Sequence, residues 1–208
     1  HYYHDEERFT PDTDWMPGVV MLAKHTYVWL DQLSRKYGRA ITRLDEIPDE
    51  ELDRLAEWGI TALWLIGIWE RSRASQTIKQ RCGNPEALAS AYAIYDYAVA
   101  GELGGEPAFE NLKERSRRRR IRIAVDMGPN HTGIFSRWII EHPDWYIQTD
   151  QPPFDRYAFT GPDLSYDPRV KIFLEDGYWN RTDAAVVFKH VETGTGRNRY
   201  IYHGNDGT

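Results

Sequence analysis

Three polar residues that could recognise or transform a ligand, Asp126, Asn130 and His131, lie within six positions, directly after an apolar run at residues 121–125. Functional groups in parallel α/β proteins collect at the carboxyl ends of strands, so Asp126 would end a strand and the other two would lie on the loop above it. An acid, an amide and an imidazole can bind a ligand through hydrogen bonds or hold a metal. They can equally cap a turn, because Asx residues are common in turns. The spacing alone leaves both interpretations open.

The elements that must position these residues can be recognised from apolar runs and helix-capping residues. Three apolar runs predict buried strands near residues 19–24, 60–68 and 121–126. Helices with capping residues at their ends are predicted at residues 26–37, 48–59 and 107–119. Strands that alternate with helices predict right-handed βαβ units and a parallel sheet. A long polar stretch at residues 70–105 interrupts this alternation.

The composition of the chain changes after Gly133. Proline, aspartate and aromatic residues become frequent there, and short apolar runs on either side of Gly194 predict a hairpin. We therefore expect three segments: an N-terminal arm at residues 1–15, a strand-and-helix segment at residues 16–132 and a separate insertion at residues 133–208.

Composition and charge limit the classes of protein that the chain can represent. Its 208 residues are 41% hydrophobic and 28% charged, which excludes a disordered or collagen-like chain. No apolar run approaches the ~18 residues of a membrane span, and no signal peptide opens the chain, so a cytoplasmic location is expected. The net charge of −6 argues against a nucleic-acid or membrane partner. One cysteine, Cys82, excludes an internal disulfide framework.

The segment from Asp126 to His131 resembles the first conserved region of the α-amylase family (glycoside hydrolase family 13), whose usual form is D-V-V-x-N-H, often D-M-V-P-N-H-T. Three further segments are similar to that family and occur in its order. They are residues 59–65, similar to the second barrel strand, residues 92–97, which match the pattern Y-x-x-x-D-Y, and residues 103–113, similar to the start of the second barrel helix. The family contains retaining hydrolases that act on α-glucans.

This resemblance implies roles for five residues. Tyr92 is similar to the tyrosine that stacks on the sugar at the cleavage subsite, and His131 to the histidine that hydrogen-bonds a hydroxyl of that sugar. Asp126 and Asp96 match site-supporting positions; Asp126 would hold an arginine further along the chain and is not the nucleophile. Asn130 is similar to an asparagine whose amide oxygen often binds a structural calcium, a hard cation that prefers oxygen ligands. No cofactor is required by the resemblance.

Several positions depart from the family pattern. Gly128 replaces the usual apolar residue, and the dipeptide before Tyr92 is Ser-Ala where the family commonly has His-Gly. Gly67 stands where a proline is frequent, and Arg120 where a tight-turn glycine is frequent. These departures indicate a divergent subfamily and leave the details of the substrate open.

The resemblance also implies which parts of the family's machinery these residues lack. Retaining glycosidases need two carboxyl groups about 5–5.5 Å apart, and in this family the nucleophile lies in a G-x-R-x-D segment after domain B. No such segment occurs here, so we expect no catalytic carboxylate in this chain and no activity from it alone. A complete (β/α)8 barrel takes about 250 residues. The expected fold class is therefore α/β. The chain would form the N-terminal portion, about three β/α units, of a TIM (β/α)8 barrel, together with part of the inserted domain B. The remainder of the polypeptide would complete the barrel.

Three functions stay open at this point. The first is a retaining hydrolase or transglycosylase acting on an α-glucan or a related oligosaccharide. The second is a non-catalytic glucan-binding or regulatory protein on the same fold, because a fold does not determine a function. The third is a metal-dependent hydrolase built on Asp126 and His131, which supply fewer than the three protein ligands of a catalytic zinc.

Overall fold

The computed structural model describes residues 11–183, 186–204 and 208. Most of the predicted N-terminal arm therefore lies outside the described residues. The described chain forms two compact units. The first consists of the described residues of His1–Ile66 and Pro107–Asp126, and the second of those of Gly67–Glu106 and Met127–Thr208. The domain boundaries expected from the sequence stay a prediction.

Seven α-helices and nine strands are present among the described residues. The helices are α1 (Asp12–Trp15), α2 (Thr26–Tyr37), α3 (Asp49–Glu57), α4 (Arg73–Arg81), α5 (Gly105–Arg118), α6 (Arg137–Glu141) and α7 (Asp176–Asn180). The strands are β1 (Met21–His25), β2 (Ala62–Ile66), β3 (Trp69–Arg71), β4 (Ile94–Val99), β5 (Arg122–Val125), β6 (Gln148–Thr149), β7 (Val170–Leu174), β8 (Val187–Glu192) and β9 (Asn198–Tyr202).

A three-stranded parallel sheet forms the centre of the first unit. Its order is β1-β2-β5, and Leu63 of β2 is in register with Leu22 on one side and Ile123 on the other. Leu63 and Leu65 are fully buried, as expected for a central parallel strand covered on both faces. The three strands predicted from apolar runs, and their parallel arrangement, are confirmed.

The prediction that the first strand is buried was wrong. In β1 the exposed residues Met21, Ala23 and His25 alternate with half-buried ones. Among the described residues, β1 pairs only with β2, so it is the edge of this sheet. Side chains alternate along a strand, so the three exposed residues share one face of β1, and that face is not covered by the described residues.

The predicted helix boundaries agree with the structure within two residues. α2 ends at Gly38, whose φ of 63° is the left-handed conformation that a helix C-terminus favours. α3 starts directly after Pro48 and is followed by Gly59, with a φ of 74°. Three acidic residues in the first turn of α3 complement the positive end of the helix dipole.

The second unit contains two antiparallel sheets. β3 pairs with β4, and a four-stranded sheet has the order β6-β9-β8-β7. The hairpin predicted around Gly194 is confirmed as β8 and β9. One face of the four-stranded sheet, with Ile172 on β7, Phe188 on β8 and Ile201 on β9, packs in one buried cluster with Ile134.

The polar stretch at residues 70–105 is more ordered than the sequence indicated. It contains part of β3, all of α4, and β4. None of the described helices is both long and apolar enough to cross a lipid bilayer.

Candidate functional site

The structure brings Tyr92 and His131 together within the second unit. Nε2 of His131 donates a hydrogen bond to the main-chain carbonyl of Tyr92, with a distance of 3.1 Å. Two residues further along each segment, the N–H of Gly133 donates to the carbonyl of Ile94 at 2.8 Å. Tyr92 remains 43% exposed while His131 is half-buried. The imidazole thus fixes the backbone from which an accessible tyrosine ring projects.

Asn130 interacts with the same imidazole. Its Oδ1 lies 3.2 Å from Nδ1 of His131. A calcium ion takes six to eight oxygen ligands, and within the described ranges no group of three or more His, Cys, Asp or Glu residues could hold a metal ion. A structural calcium at Asn130 stays a prediction.

Asp96 supports this region from β4. Its Oδ2 accepts a hydrogen bond from Nη1 of Arg137 at 3.1 Å, and Arg137 also donates to Glu141 at 3.1 Å. The two carboxylates raise the pKa of the Arg137 guanidinium, mainly through the hydrogen bond that it donates to Asp96. Asp96 therefore ties β4 to the first residue of α6, a short helix that begins six residues after His131.

Asp126 belongs to the first unit, where it follows β5. Its Oδ1 accepts a hydrogen bond from Nε1 of Trp64 on β2 at 2.9 Å. Because β2 and β5 are parallel neighbours, this bond joins the middle of β2 to the residue that directly follows the carboxyl-terminal end of β5. The carboxylate thus lies at the strand edge that the sequence indicated. The arginine that the resemblance assigns to it stays a prediction.

Arg71 holds the segment that precedes Tyr92, and the sequence analysis missed it. Its Nη1 donates to the carbonyl of Ala89 at 3.0 Å and its Nη2 to that of Gly67 at 2.8 Å. One guanidinium therefore connects Gly67, which directly follows β2, to Ala89, which lies three residues before Tyr92. An arginine in a polar stretch forms no recognisable sequence pattern, so its hydrogen bonds to these two carbonyls are visible only in the structure.

A cavity of about 590 Å³ lies in the second unit, within the size range of small-ligand sites. Asn130 and His131 line it together with Tyr97, Trp138 and Trp145. Tyr97 belongs to the Y-x-x-x-D-Y pattern, but the sequence analysis gave it no role.

Tyr97 links the aromatic wall of this cavity to the loop that carries His131. The Tyr97 hydroxyl accepts a hydrogen bond from the N–H of Gly128 at 2.9 Å. Its ring contacts those of Trp69 and Trp138, with centroids 5.4 and 5.8 Å away. The family pattern usually has an apolar residue at Gly128, but the hydrogen bond uses only its main chain.

A buried hydroxyl network stiffens the wall below His131. The Thr132 hydroxyl lies 3.0 Å from that of Ser136 and 2.9 Å from that of Tyr146. Burial raises the pKa of Tyr146, so its phenol stays neutral and can act as a donor within this network. Ser136 also caps α6 by accepting from the N–H of Ile139. Aromatic surfaces fixed beside an amide and an imidazole suit a ligand with both apolar faces and hydroxyl groups.

Known proteins are similar to this chain in sequence. The model of the alpha-amylase catalytic domain matches residues 37–204, which is well over half of the chain. A glucan 1,6-alpha-glucosidase of Streptococcus pneumoniae is 29% identical over 128 residues, 57% of this chain and 21% of that protein. The alpha-amylase SusG of Bacteroides thetaiotaomicron is 29% identical over 124 residues, 59% of this chain and 15% of that protein.

A solved structure supports the fold. The trehalose-6-phosphate hydrolase of Bacillus licheniformis superimposes with a TM-score of 0.53 at 17% identity, covering 90% of this chain and 28% of that one. The predicted fold, part of a (β/α)8 barrel with no closed barrel among the described residues, is therefore confirmed. The chain spans about a fifth of the length of the curated relatives that it matches. The family match over residues 37–204 shows that the chain belongs to the alpha-amylase catalytic-domain family.

Proposed function

We propose that the protein containing this chain is an α-glucan-active glycoside hydrolase or transglycosylase in which Tyr92 and His131 contact one glucose residue. The observation that carries the proposal is the 3.1 Å hydrogen bond from His131 Nε2 to the Tyr92 carbonyl. It joins the imidazole of one residue to the main chain of another that lies 39 positions away, and both residues match sugar-contacting positions of the family. The names of two curated relatives, a glucan 1,6-alpha-glucosidase and an alpha-amylase, support the substrate class.

In this proposal the two side chains divide the recognition of the sugar. A pyranose presents C–H groups on its flat face, which the exposed ring of Tyr92 covers, while its hydroxyl groups form hydrogen bonds at the rim. His131 restrains the main chain of Tyr92 through Nε2 and lines the cavity beside the exposed amide of Asn130. Binding costs less when the contacting groups are held in place beforehand.

The chemistry that we propose is double displacement with retention of configuration. A carboxylic acid protonates the glycosidic oxygen while a carboxylate attacks the anomeric carbon, so that the C–O bond breaks and a glycosyl-enzyme forms. Water or a sugar hydroxyl then attacks the same carbon and releases the nucleophile. The attacking group gives its proton to the carboxyl group that acted as the acid in the first step. We propose that both carboxyl groups come from outside these 208 residues.

The test compares Tyr92→Ala with Tyr92→Phe in the full-length protein. The probes are maltotriose and isomaltotriose, which differ in their linkage. Burial of an aromatic ring is worth roughly 1.5–3 kcal/mol, so Tyr92→Ala should lower kcat/KM roughly 10- to 100-fold. Tyr92→Phe keeps the stacking ring and should stay within about threefold of the parent protein on the same reasoning.

Two results would argue against the proposal. Equal kcat/KM for Tyr92→Ala and the parent protein would remove the tyrosine from the site. Binding of both oligosaccharides by the parent protein with no cleavage or transfer would favour the non-catalytic glucan-binding alternative.

A further inference from the structure

Tyr92 lies in a segment without helix or strand. Residues 82–93, which the structure describes throughout, connect α4 to β4 without forming either element. The ring of Tyr92 is 43% exposed, so packing alone does not fix where it lies. A loop residue that must meet a ligand in one orientation therefore depends on contacts to the main chain that carries it.

The main chain is hydrogen-bonded on both sides of Tyr92. After the tyrosine, the N–H of Ser72 donates to the carbonyl of Ala93 at 2.7 Å. Before it, the N–H of Ser90 donates to the hydroxyl of the fully buried Ser75 at 3.0 Å. Each of these two bonds restrains one side of the tyrosine.

Arg71 contacts the main chain on both sides of the tyrosine. It is the last residue of β3, and it is in register with Ile94, two residues after Tyr92. Its side chain donates through Nη1 to the carbonyl of Ala89, three residues before Tyr92, at 3.0 Å. One residue therefore holds both ends of the short span that carries the tyrosine.

The guanidinium of Arg71 is itself held in one orientation. Its Nη2 donates to the carbonyl of Gly67 at 2.8 Å. The space for it depends on the absence of a side chain at Gly67, since a Cβ there would lie 2.5 Å from Nη2. The donors of a guanidinium form a rigid planar fork, so hydrogen bonds to two separate carbonyls restrain it more than they would a flexible ammonium.

We propose that Arg71 is a positioning residue that keeps the ring of Tyr92 in the orientation that the sugar requires. This inference rests on the proposed function and adds to it a residue that does not touch the sugar. Arg71 acts through the main chain at Ala89 and Ile94. Without its side chain, the span before Tyr92 would have to become ordered when the sugar binds, and that ordering lowers affinity.

A double-mutant cycle in the full-length protein tests this proposal. The probe is whichever of maltotriose and isomaltotriose the parent protein turns over. Arg71→Ala should lower kcat/KM roughly fivefold, because the side chain of Tyr92 must then be ordered on binding. In the Tyr92→Ala background the same substitution should change kcat/KM by less than about twofold, because the ring that Arg71 positions is gone.

The matched control is Arg73→Ala. Arg73 is an exposed arginine two positions further along, and its guanidinium lies over the ring of Tyr166, 5.8 Å from the ring centroid. This substitution should leave kcat/KM within about twofold of the parent protein on the same scale. If Arg71→Ala does not fold, Arg71→Lys takes its place in the cycle, because one ammonium cannot reproduce the fork that donates to both carbonyls.

An equal loss of kcat/KM in both backgrounds would overturn the proposal, because Arg71 would then act independently of the tyrosine, and so would no loss in either. If the parent protein turns over neither oligosaccharide, or Tyr92→Ala changes nothing, the proposed function fails. Amide hydrogen exchange without ligand then tests the positioning separately. The amides of Tyr92 and Ala93 both donate to Ser90 and should exchange roughly fivefold faster in Arg71→Ala than in Arg73→Ala. Equal exchange rates would overturn the proposal.

Discussion

The loop that carries His131 leaves no space for a side chain at Gly133. A Cβ at this position would clash with Cβ of Ser72 and lie 2.8 Å from its Oγ and 3.2 Å from the carbonyl oxygen of Ile94. The N–H of Gly133 donates to that same carbonyl at 2.8 Å. We therefore predict that Gly133→Ala destabilises the second unit.

The size of the effect follows from how firmly Ser72 is held. Ser72 is fully buried, it precedes α4, and its N–H donates to the carbonyl of Ala93 at 2.7 Å. It therefore cannot move aside without breaking that bond. An added methyl in a packed interior costs roughly 1–3 kcal/mol. For Gly133→Ala we expect the upper part of this range, because a rigid main chain surrounds the site.

A second substitution should restore the stability. Ser72→Gly removes both side-chain atoms that the new methyl would meet, and the buried Oγ of Ser72 has no hydrogen-bond partner among the described residues. The double variant Ser72→Gly/Gly133→Ala should therefore recover roughly 1–2 kcal/mol relative to the sum of the two single variants. The remaining cost reflects the approach of the methyl to Ile94.

Urea unfolding of the four proteins in this cycle measures the effect. The matched control is Gly128→Ala in the same loop, where the nearest atoms, on Asn130 and His131, are 3.9 and 4.0 Å from the new Cβ, an ordinary contact distance. The control should change the free energy of unfolding by less than about 0.5 kcal/mol. The reasoning is refuted if Gly133→Ala behaves like the control, or if the two substitutions at positions 72 and 133 are simply additive.

Two further predictions concern buried charge and backbone strain. His190, buried on β8 opposite Arg199 on β9, has its pKa lowered to about 4 by burial and by the Arg199 charge. The unfolded chain protonates this imidazole near pH 6.5, whereas the folded chain does so only near pH 4. The free energy of unfolding is therefore highest above pH 6.5 and falls by roughly 3 kcal/mol as the pH drops towards 4. Urea titrations should show a flatter pH profile for His190→Gln, and an unchanged profile would contradict this. Arg120 has a φ of 60°, so Arg120→Gly should raise stability by about 1 kcal/mol in thermal melts, whereas Arg118→Gly at the last residue of α5 should lower it slightly. Destabilisation by both would show that Arg120 is not strained.

The features predicted correctly were those that a local pattern specifies. The central strand around Leu63 is an unbroken apolar run because both of its faces are covered. Gly38 and Gly59 end helices because the left-handed conformation costs glycine little. Each of these signals is contained within a few neighbouring residues.

The features that were missed depend on contacts that no local pattern encodes. In α4 only Ala74, Ser75 and Ile78 are buried, so its sequence is mostly polar and lacks a clear apolar stripe. The link between Tyr92 and His131 uses a main-chain carbonyl, which every residue has, so neither spacing nor residue type predicts it. The resemblance to the family identified these two residues, and the structure showed the hydrogen bond between them.

Two departures from the family pattern are connected in space. Gly67 stands where a proline is frequent, and its φ of 77° is a conformation that proline cannot adopt. A Cβ at Gly67 would lie 2.9 Å from Cβ of Ala91, the residue found where the family commonly has glycine before the tyrosine. The family thus commonly has a side chain at the position of Gly67 and none at that of Ala91. This chain has a side chain at Ala91 and none at Gly67. The carbonyl of Gly67 also accepts a hydrogen bond from Arg71, which donates to the carbonyl of Ala89 as well. Both departures therefore lie beside the contacts that hold the segment before Tyr92.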